Sequence, residues 1–257
     1  MATGFFWYDV MTTDAKAGIK FYTDVVGSWG AEDGPGGNGN GYTVFTVEGQ
    51  GVAGLMKLPE DAAKMGVPPC WMGYIAVDDV DAAAARLEKL GGKIHKPPQD
   101  IPGVIRFAVV ADPQGAGFII AKGLMDKPMA SFPPGTPGTV GWHELYAVDG
   151  ATIFDFYEKM FGWTKSDAMD MGPMGVYQMF KTGGEFAMGG IMTKPPAVPV
   201  PHWGFYINVP AIDAAVERVT TGGGKVINGP MEVPGGQWII QGIDPQGAFF
   251  NLVAPKR

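Results

Sequence analysis

Apolar and polar residues in this chain alternate in short runs, punctuated by glycine and proline. Trp142 to Val148 reads as a strand whose one polar exception on the Leu145 and Ala147 side is His143. Asp149 stands at an N-cap position, and Ile153, Phe154, Tyr157 and Phe161 follow at helical spacing until Gly162 stops the run. Val176 to Lys181 and Phe186 to Met192 read as further strands. A second round begins at Trp203. Phe205, Ile207 and Val209 alternate with Gly204, Tyr206 and Asn208, Asp213 to Val219 is helical, and Gly222-Gly223-Gly224 ends it. Strands are expected around Val226-Ile227, Gln237 to Ile243 and Phe249 to Val253.

The same rhythm occurs earlier in the chain. A shift of 135 residues lays Trp7 on Trp142, Asp9 on Glu144, Phe21-Tyr22 on Phe156-Tyr157 and Gly27 on Gly162. A shift of 132 lays Trp71 on Trp203, Tyr74 on Tyr206, and Asp112-Pro113-Gln114-Gly115-Ala116 on Asp244-Pro245-Gln246-Gly247-Ala248. A repeat of this length marks two modules of ordinary domain size. The expected division is 1–124, a Pro/Gly-rich linker at 125–138, and 139–257. Each module carries strand–helix–three strands twice. The expected fold class is therefore α+β: four tandem βαβββ units forming two cup-shaped, mostly antiparallel sheets with helices on the outer face.

Composition narrows the function classes. The 40 glycines and 22 prolines among 257 residues argue against a helical bundle. A formal net charge of −7, with no Lys/Arg cluster, argues against a nucleic-acid partner. The single cysteine, Cys70, excludes an intrachain disulfide or a Cys-rich zinc site, and reads as a small apolar filler. Neither a signal peptide nor a run long enough to span a membrane is evident, so a cytoplasmic protein, monomer or homodimer, is expected. The segment Gly34 to Gly41 lacks the Lys-Ser/Thr and helix start of a phosphate loop and reads as a flexible loop.

A strand, an Asp, and a helix carrying Phe-Tyr and ending at Gly, together with the paired Asp-Pro-Gln-Gly-Ala turns, resemble the vicinal oxygen chelate superfamily: glyoxalase I, bleomycin-resistance proteins and extradiol dioxygenases. The resemblance covers nearly the whole chain, in two copies. It implies a divalent metal held in each cup by His, Gln or Glu from the first strand, the start of the second unit and the last strand. The matching positions here are Trp7, Met72 and Ile119 in one module and Trp142, Gly204 and Asn251 in the other. None is a normal ligand for such a metal, although the Asn251 carbonyl offers one weak oxygen. No metal or other cofactor is therefore expected, and glyoxalase or dioxygenase chemistry of the usual kind loses its basis.

What remains is asymmetric. Strand parity places Trp142, Glu144 and Tyr146 on one face, with His202, Tyr206 and Asn251 on neighbouring strands. Trp7 and Asp9 are the counterparts in module one. These residues are the expected contacts for a small organic ligand, chiefly in module two. An aromatic wall beside a carboxylate suits a flat or cationic molecule. The alternative is a lyase, isomerase or dioxygenase that uses a displaced divalent metal, or Glu144 and His202 as an acid–base pair. For Asp9 and Glu144 a structural role is also open: a hydrogen bond to the next strand, or a salt bridge to an arginine such as Arg106 or Arg218.

Overall fold

The structure is a computed structural model and describes residues 4–35, 41–125 and 131–257. Most of the Gly-rich loop, at 36–40, and the start of the linker, at 126–130, lie outside the described residues. The first module runs β1 (Phe5–Thr12), α1 (Ala15–Val26), β2 (Gly30–Asp33), β3 (Tyr42–Val47), β4 (Gln50–Lys57), α2 (Glu60–Lys64), β5 (Cys70–Ala76), α3 (Val80–Lys89), β6 (Lys93–Ile101), β7 (Ile105–Ala111) and β8 (Gly117–Gly123). The second runs β9 (Val140–Ala147), α4 (Gly150–Phe161), β10 (Thr164–Asp170), β11 (Val176–Lys181), β12 (Gly189–Thr193), β13 (His202–Asn208), α5 (Ile212–Thr221), β14 (Lys225–Val233), β15 (Gln237–Ile243) and β16 (Phe249–Ala254). The strands are ordered β2-β3-β4-β1-β5-β8-β7-β6 and β10-β11-β12-β9-β13-β16-β15-β14, two eight-stranded mixed sheets. The fold is α+β. Antiparallel pairs are the more numerous, while β1 with β4, β5 with β8, β9 with β12 and β13 with β16 run parallel.

Local signals explain α1 and α4. Asp149 caps α4 by accepting the Ala151 N–H at 3.0 Å, and Gly162 ends it in the left-handed region at φ 71°. Asp14 and Gly27 do the same for α1. One expected strand is shorter than its alternation implied. Phe186 to Met188 stay outside β12, and Phe186 is 77% exposed. Register pairing with β11 begins where Gly189 meets Phe180; Met188 just before it still donates to the Phe180 carbonyl at 2.9 Å and accepts the His143 N–H at 3.2 Å.

The chain divides into two compact units that each draw on both sequence modules: Met1–Phe6, Gly73–Met129 and Trp142–Gly204 form one, and Trp7–Met72, Ala130–Gly141 and Phe205–Arg257 the other. Inside each unit a repeat motif from one module clasps a repeat motif from the other. In the first, Asp112 takes the Gln114 and Ala116 N–H groups on one oxygen and the Tyr157 hydroxyl, at 2.9 Å, on the other; the Trp203 indole N–H donates to that hydroxyl at 3.0 Å. In the second, Asp244, Tyr22 and Trp71 repeat the arrangement at 2.9 and 3.0 Å. The Asp-Pro-Gln-Gly-Ala turns and Phe-Tyr helices are thus buried polar ties, each hydroxyl both donating and accepting.

Candidate ligand-binding site

In the first unit the parity of β9 turns Trp142, Glu144 and Tyr146 to one side. Glu144 is 8% exposed and Tyr146 6%. The Tyr146 hydroxyl donates to Glu144 Oε2, and the Tyr177 hydroxyl of β11 also donates to the Glu144 carboxylate. The Trp142 indole N–H in turn donates to the Tyr177 hydroxyl at 2.8 Å. Burial, and then the Glu144 charge beside it, push the Tyr177 phenol well above its ordinary pKa, so it is a donor at any physiological pH. The His202 ring stacks on Tyr146 with centroids 5.0 Å apart and planes 17° from parallel. Its Nδ1 lies 3.1 Å from the Val200 carbonyl, which can only accept, and burial lowers its pKa. Tyr146 therefore connects the two residues expected to be catalytic: its hydroxyl reaches Glu144 and its ring face meets His202.

Tyr146, Tyr177 and Met192 form the buried apolar core of this cluster, and Met169, Met171, Met179 and Val198 pack against it. Gly190 lies opposite Glu144 on β12. A Cβ there would sit 2.1 Å from the Tyr177 ring, so only glycine lets the tyrosine lie over the strand and reach the carboxylate.

The second unit holds the module-one counterpart. Asp9, 3% exposed, accepts the Trp7 indole N–H at 2.9 Å and the Tyr42 hydroxyl at 2.8 Å, and Gly54 lies opposite. The aspartate, one methylene shorter, is held directly by its tryptophan. The glutamate of module two is held by a second tyrosine, Tyr146, where module one has Met11. Tyr206 and Asn251 also belong to this unit and face each other across β13 and β16. The Gln241 amide donates to the Tyr206 hydroxyl at 2.9 Å. Asn251 is fully buried; in the orientation that satisfies both ends, its amide donates to the Phe250 carbonyl and accepts from the Phe205 N–H. The Asn208 amide donates to the carbonyl and hydroxyl of Thr139, the residue before β9.

The arginines entertained as partners of the two carboxylates are engaged elsewhere. Arg106 pairs with Asp81 and Asp100 at 2.7 and 2.8 Å, and Arg218 donates to the Val25 carbonyl at 2.9 Å. The carboxylates are held by tyrosine and tryptophan instead. Tyr42 and Tyr177 are the site residues that pattern reading missed. The signal was available, because the same shift of 135 places one on the other. Cys70 is half-buried, and burial pushes its thiol up to about 11, which leaves it protonated and unreactive at neutral pH.

Over residues 4–120 and 139–252 the sequence matches the family described as Glyoxalase/Bleomycin resistance protein/Dioxygenase superfamily. The chain belongs to this superfamily. It is 36% identical over 254 residues to the "Putative glyoxylase CFP32" of Mycobacterium tuberculosis, covering 97% of this chain and 94% of that one. It is 33% identical over 259 residues to the "Anthracycline biosynthesis protein DnrV" of Streptomyces peucetius, covering 96% and 91%. Among solved structures, the fold is similar to the Mn(II)-bound glyoxalase from Novosphingobium aromaticivorans, with a TM-score of 0.68 at 18% identity over 99% of this chain and 82% of the other. It is also similar to the 2,3-dioxygenase LapB from Pseudomonas sp. KL28, with a TM-score of 0.64 at 14% identity over 99% and 93%. Of the positions that the resemblance assigns to a metal in module two, Trp142 and Gly204 carry no side chain that ligates one, and the Asn251 amide is engaged by the Phe250 carbonyl and the Phe205 N–H. No group of three or more His, Cys, Asp or Glu among the described residues is placed to hold a metal ion. No helix among them is long and apolar enough to cross a membrane.

Proposed function

We propose that this superfamily member binds a small organic molecule at the Glu144 cluster of β9–β12, without a divalent metal at the usual positions. The observation that carries the reading is the Trp142–Tyr177–Glu144–Tyr146 hydrogen-bond chain set among methionine side chains. Ligand sites combine an apolar lining with a few placed polar groups, and thioethers adapt to varied shapes. A carboxylate at the centre of the cluster favours a neutral or cationic ligand over an anion. The test is a small-molecule screen followed by calorimetric titration of the chelator-treated protein. Glu144→Gln is expected to weaken a hit about ten-fold or more, since a charged acceptor is worth about 1.5–3 kcal/mol. A hit that binds only after a stoichiometric metal is restored, with that metal lost in His202→Ala, overturns the metal-free reading.

A second reading draws on one contact. Tyr146 touches both Glu144 and His202, which supplies a proton donor next to a carboxylate and an imidazole. Acid–base catalysis on the bound molecule is the function this contact favours. Turnover of a hit by the wild type, abolished in Tyr146→Phe with binding retained, is its test.

A further inference from the structure

The residues that a ligand would touch are covered by the chain itself. Tyr146, Tyr177 and Met192 are each less than one-tenth exposed, and Val198 lies against them. Val198 belongs to the segment between β12 and β13, Lys194 to Pro201, where four of eight residues are proline. The segment has its own fastenings. The Lys194 N–H donates to the Ala147 carbonyl at 2.7 Å, and the Val198 N–H donates to the Pro195 carbonyl at 2.9 Å. The latter closes a four-residue turn with Pro196 at the position where proline presets the backbone. The Lys194 ammonium reaches over and donates to the Val198 carbonyl at 2.7 Å. At the far end the Val200 carbonyl is held by His202. In module one the corresponding stretch, between Lys57 and Cys70, is longer and contains α2. The short, proline-stiffened version is confined to module two.

A strap this stiff costs little entropy to hold in place, and its Val198 side chain packs against the cluster. We propose that Val198 occupies the apolar subsite of the Glu144 cluster, and that a ligand enters by displacing the strap and replacing Val198 against Tyr146 and Tyr177. The class of ligand follows. It carries a compact aromatic or branched aliphatic group to fill the place of the isopropyl group. It also carries a neutral or cationic O–H or N–H donor for the Glu144 carboxylate, an acceptor with two oxygens. Lys194 is a positioning residue that fastens the strap.

This inference rests on the proposed binding role, and the experiment separates the two. The probe is 2-naphthol, with 2-naphthoate as the anionic counterpart, titrated by calorimetry against the wild type, Val198→Ala, Lys194→Met and Glu144→Gln. Val198→Ala shortens the competing side chain and is expected to bind 2-naphthol at least five-fold more tightly. Lys194→Met, which keeps the packing but loses the fastening, is expected to raise the association rate several-fold. Neither change helps 2-naphthoate. Methyl resonances of Val198 shift on saturating the wild type. If wild-type binding depends on Glu144 while both strap variants match the wild type, the strap inference falls and the binding role stands. If neither the wild type nor Val198→Ala binds 2-naphthol, the subsite assignment falls. Tighter binding that survives Glu144→Gln places the probe elsewhere and overturns it too.

Discussion

The Tyr177 hydroxyl accepts the indole N–H of Trp142 across 35 residues of chain, and Tyr42 does the same for Trp7 at the same separation. The two pairs differ in how their carboxylates are held. The Trp7 N–H lies within reach of both Tyr42 and Asp9, at 2.9 Å each. The Trp142 N–H donates to Tyr177 alone among the described residues. Tyr177→Phe is therefore expected to leave a part-buried indole N–H without its acceptor and to take one donor from Glu144, costing about 1–3 kcal/mol. Tyr42→Phe leaves Trp7 on Asp9 and is expected to cost less. Denaturant unfolding gives the stabilities, and the indole N–H resonances show which tryptophan changes. Equal costs would mean that the second acceptor of Trp7 contributes nothing.

Gly190→Ala probes the same arrangement from beneath. The added methyl would lie 2.1 Å from Tyr177 ring atoms, so the ring must leave its place over β12. Overpacking of this kind costs about 1–3 kcal/mol. The expected outcome is a lower Tm together with the Trp142 indole change seen in Tyr177→Phe. An unchanged Tm and indole signal would show that Tyr177 does not rest on that glycine.

Helices α1 and α4 and the repeat could be read from the chain because their signals are local: a capping Asp, an apolar stripe, a glycine stop, and two copies to compare. The site was legible only in part. Trp142, Glu144 and Tyr146 are successive same-side residues of one strand, and parity alone groups them. Their partner Tyr177 stands on a strand whose register depends on pairing through β12, which no local pattern fixes. Val198 was harder still, because a proline-rich connection has no periodicity and its packing is set wholly by tertiary structure. Compact units that each mix both modules were likewise hidden, since repeats mark what is similar along a chain and not what packs together.

The buried ties give a third prediction. Tyr157→Phe removes the hydroxyl that donates to Asp112 and accepts from Trp203. Burial already pushes the Asp112 carboxyl above its ordinary pKa, with the hydroxyl and three backbone N–H groups opposing that shift. Losing the hydroxyl should raise that pKa further and cost about 1–3 kcal/mol at neutral pH. Tyr22→Phe, at the equivalent tie to Asp244, should behave alike. Urea unfolding of each variant measures the loss; a neutral result would show that the hydroxyls are dispensable to packing.

The last prediction concerns His143, which is 2% exposed, stacked on Phe5 with centroids 4.8 Å apart, and hydrogen-bonded through Nδ1 to the Met188 carbonyl at 2.7 Å. Burial lowers its pKa to about 4. In the unfolded chain an imidazole titrates near 6.5, so on acidification the unfolded state takes up its proton first. Stability falls wherever the unfolded state binds more protons as pH drops. The contribution of the neutral imidazole is thus complete above about pH 6.5, is lost progressively as pH falls, and is exhausted near the folded pKa of about 4. Its full size is on the order of 3 kcal/mol at about 1.4 kcal/mol per pH unit of separation. Carboxylates titrate in the lower part of that window, and Asp112, with its raised pKa, pulls the opposite way. The informative quantity is therefore the difference between wild type and His143→Phe, which keeps the ring stack and removes the titration. That difference should be flat above about pH 7 and move in favour of the variant by roughly 2–3 kcal/mol between about pH 6.5 and 4. Chemical unfolding at half-unit pH steps measures it. A difference independent of pH would mean that His143 keeps an ordinary pKa in the fold, which its burial against Phe5 argues against.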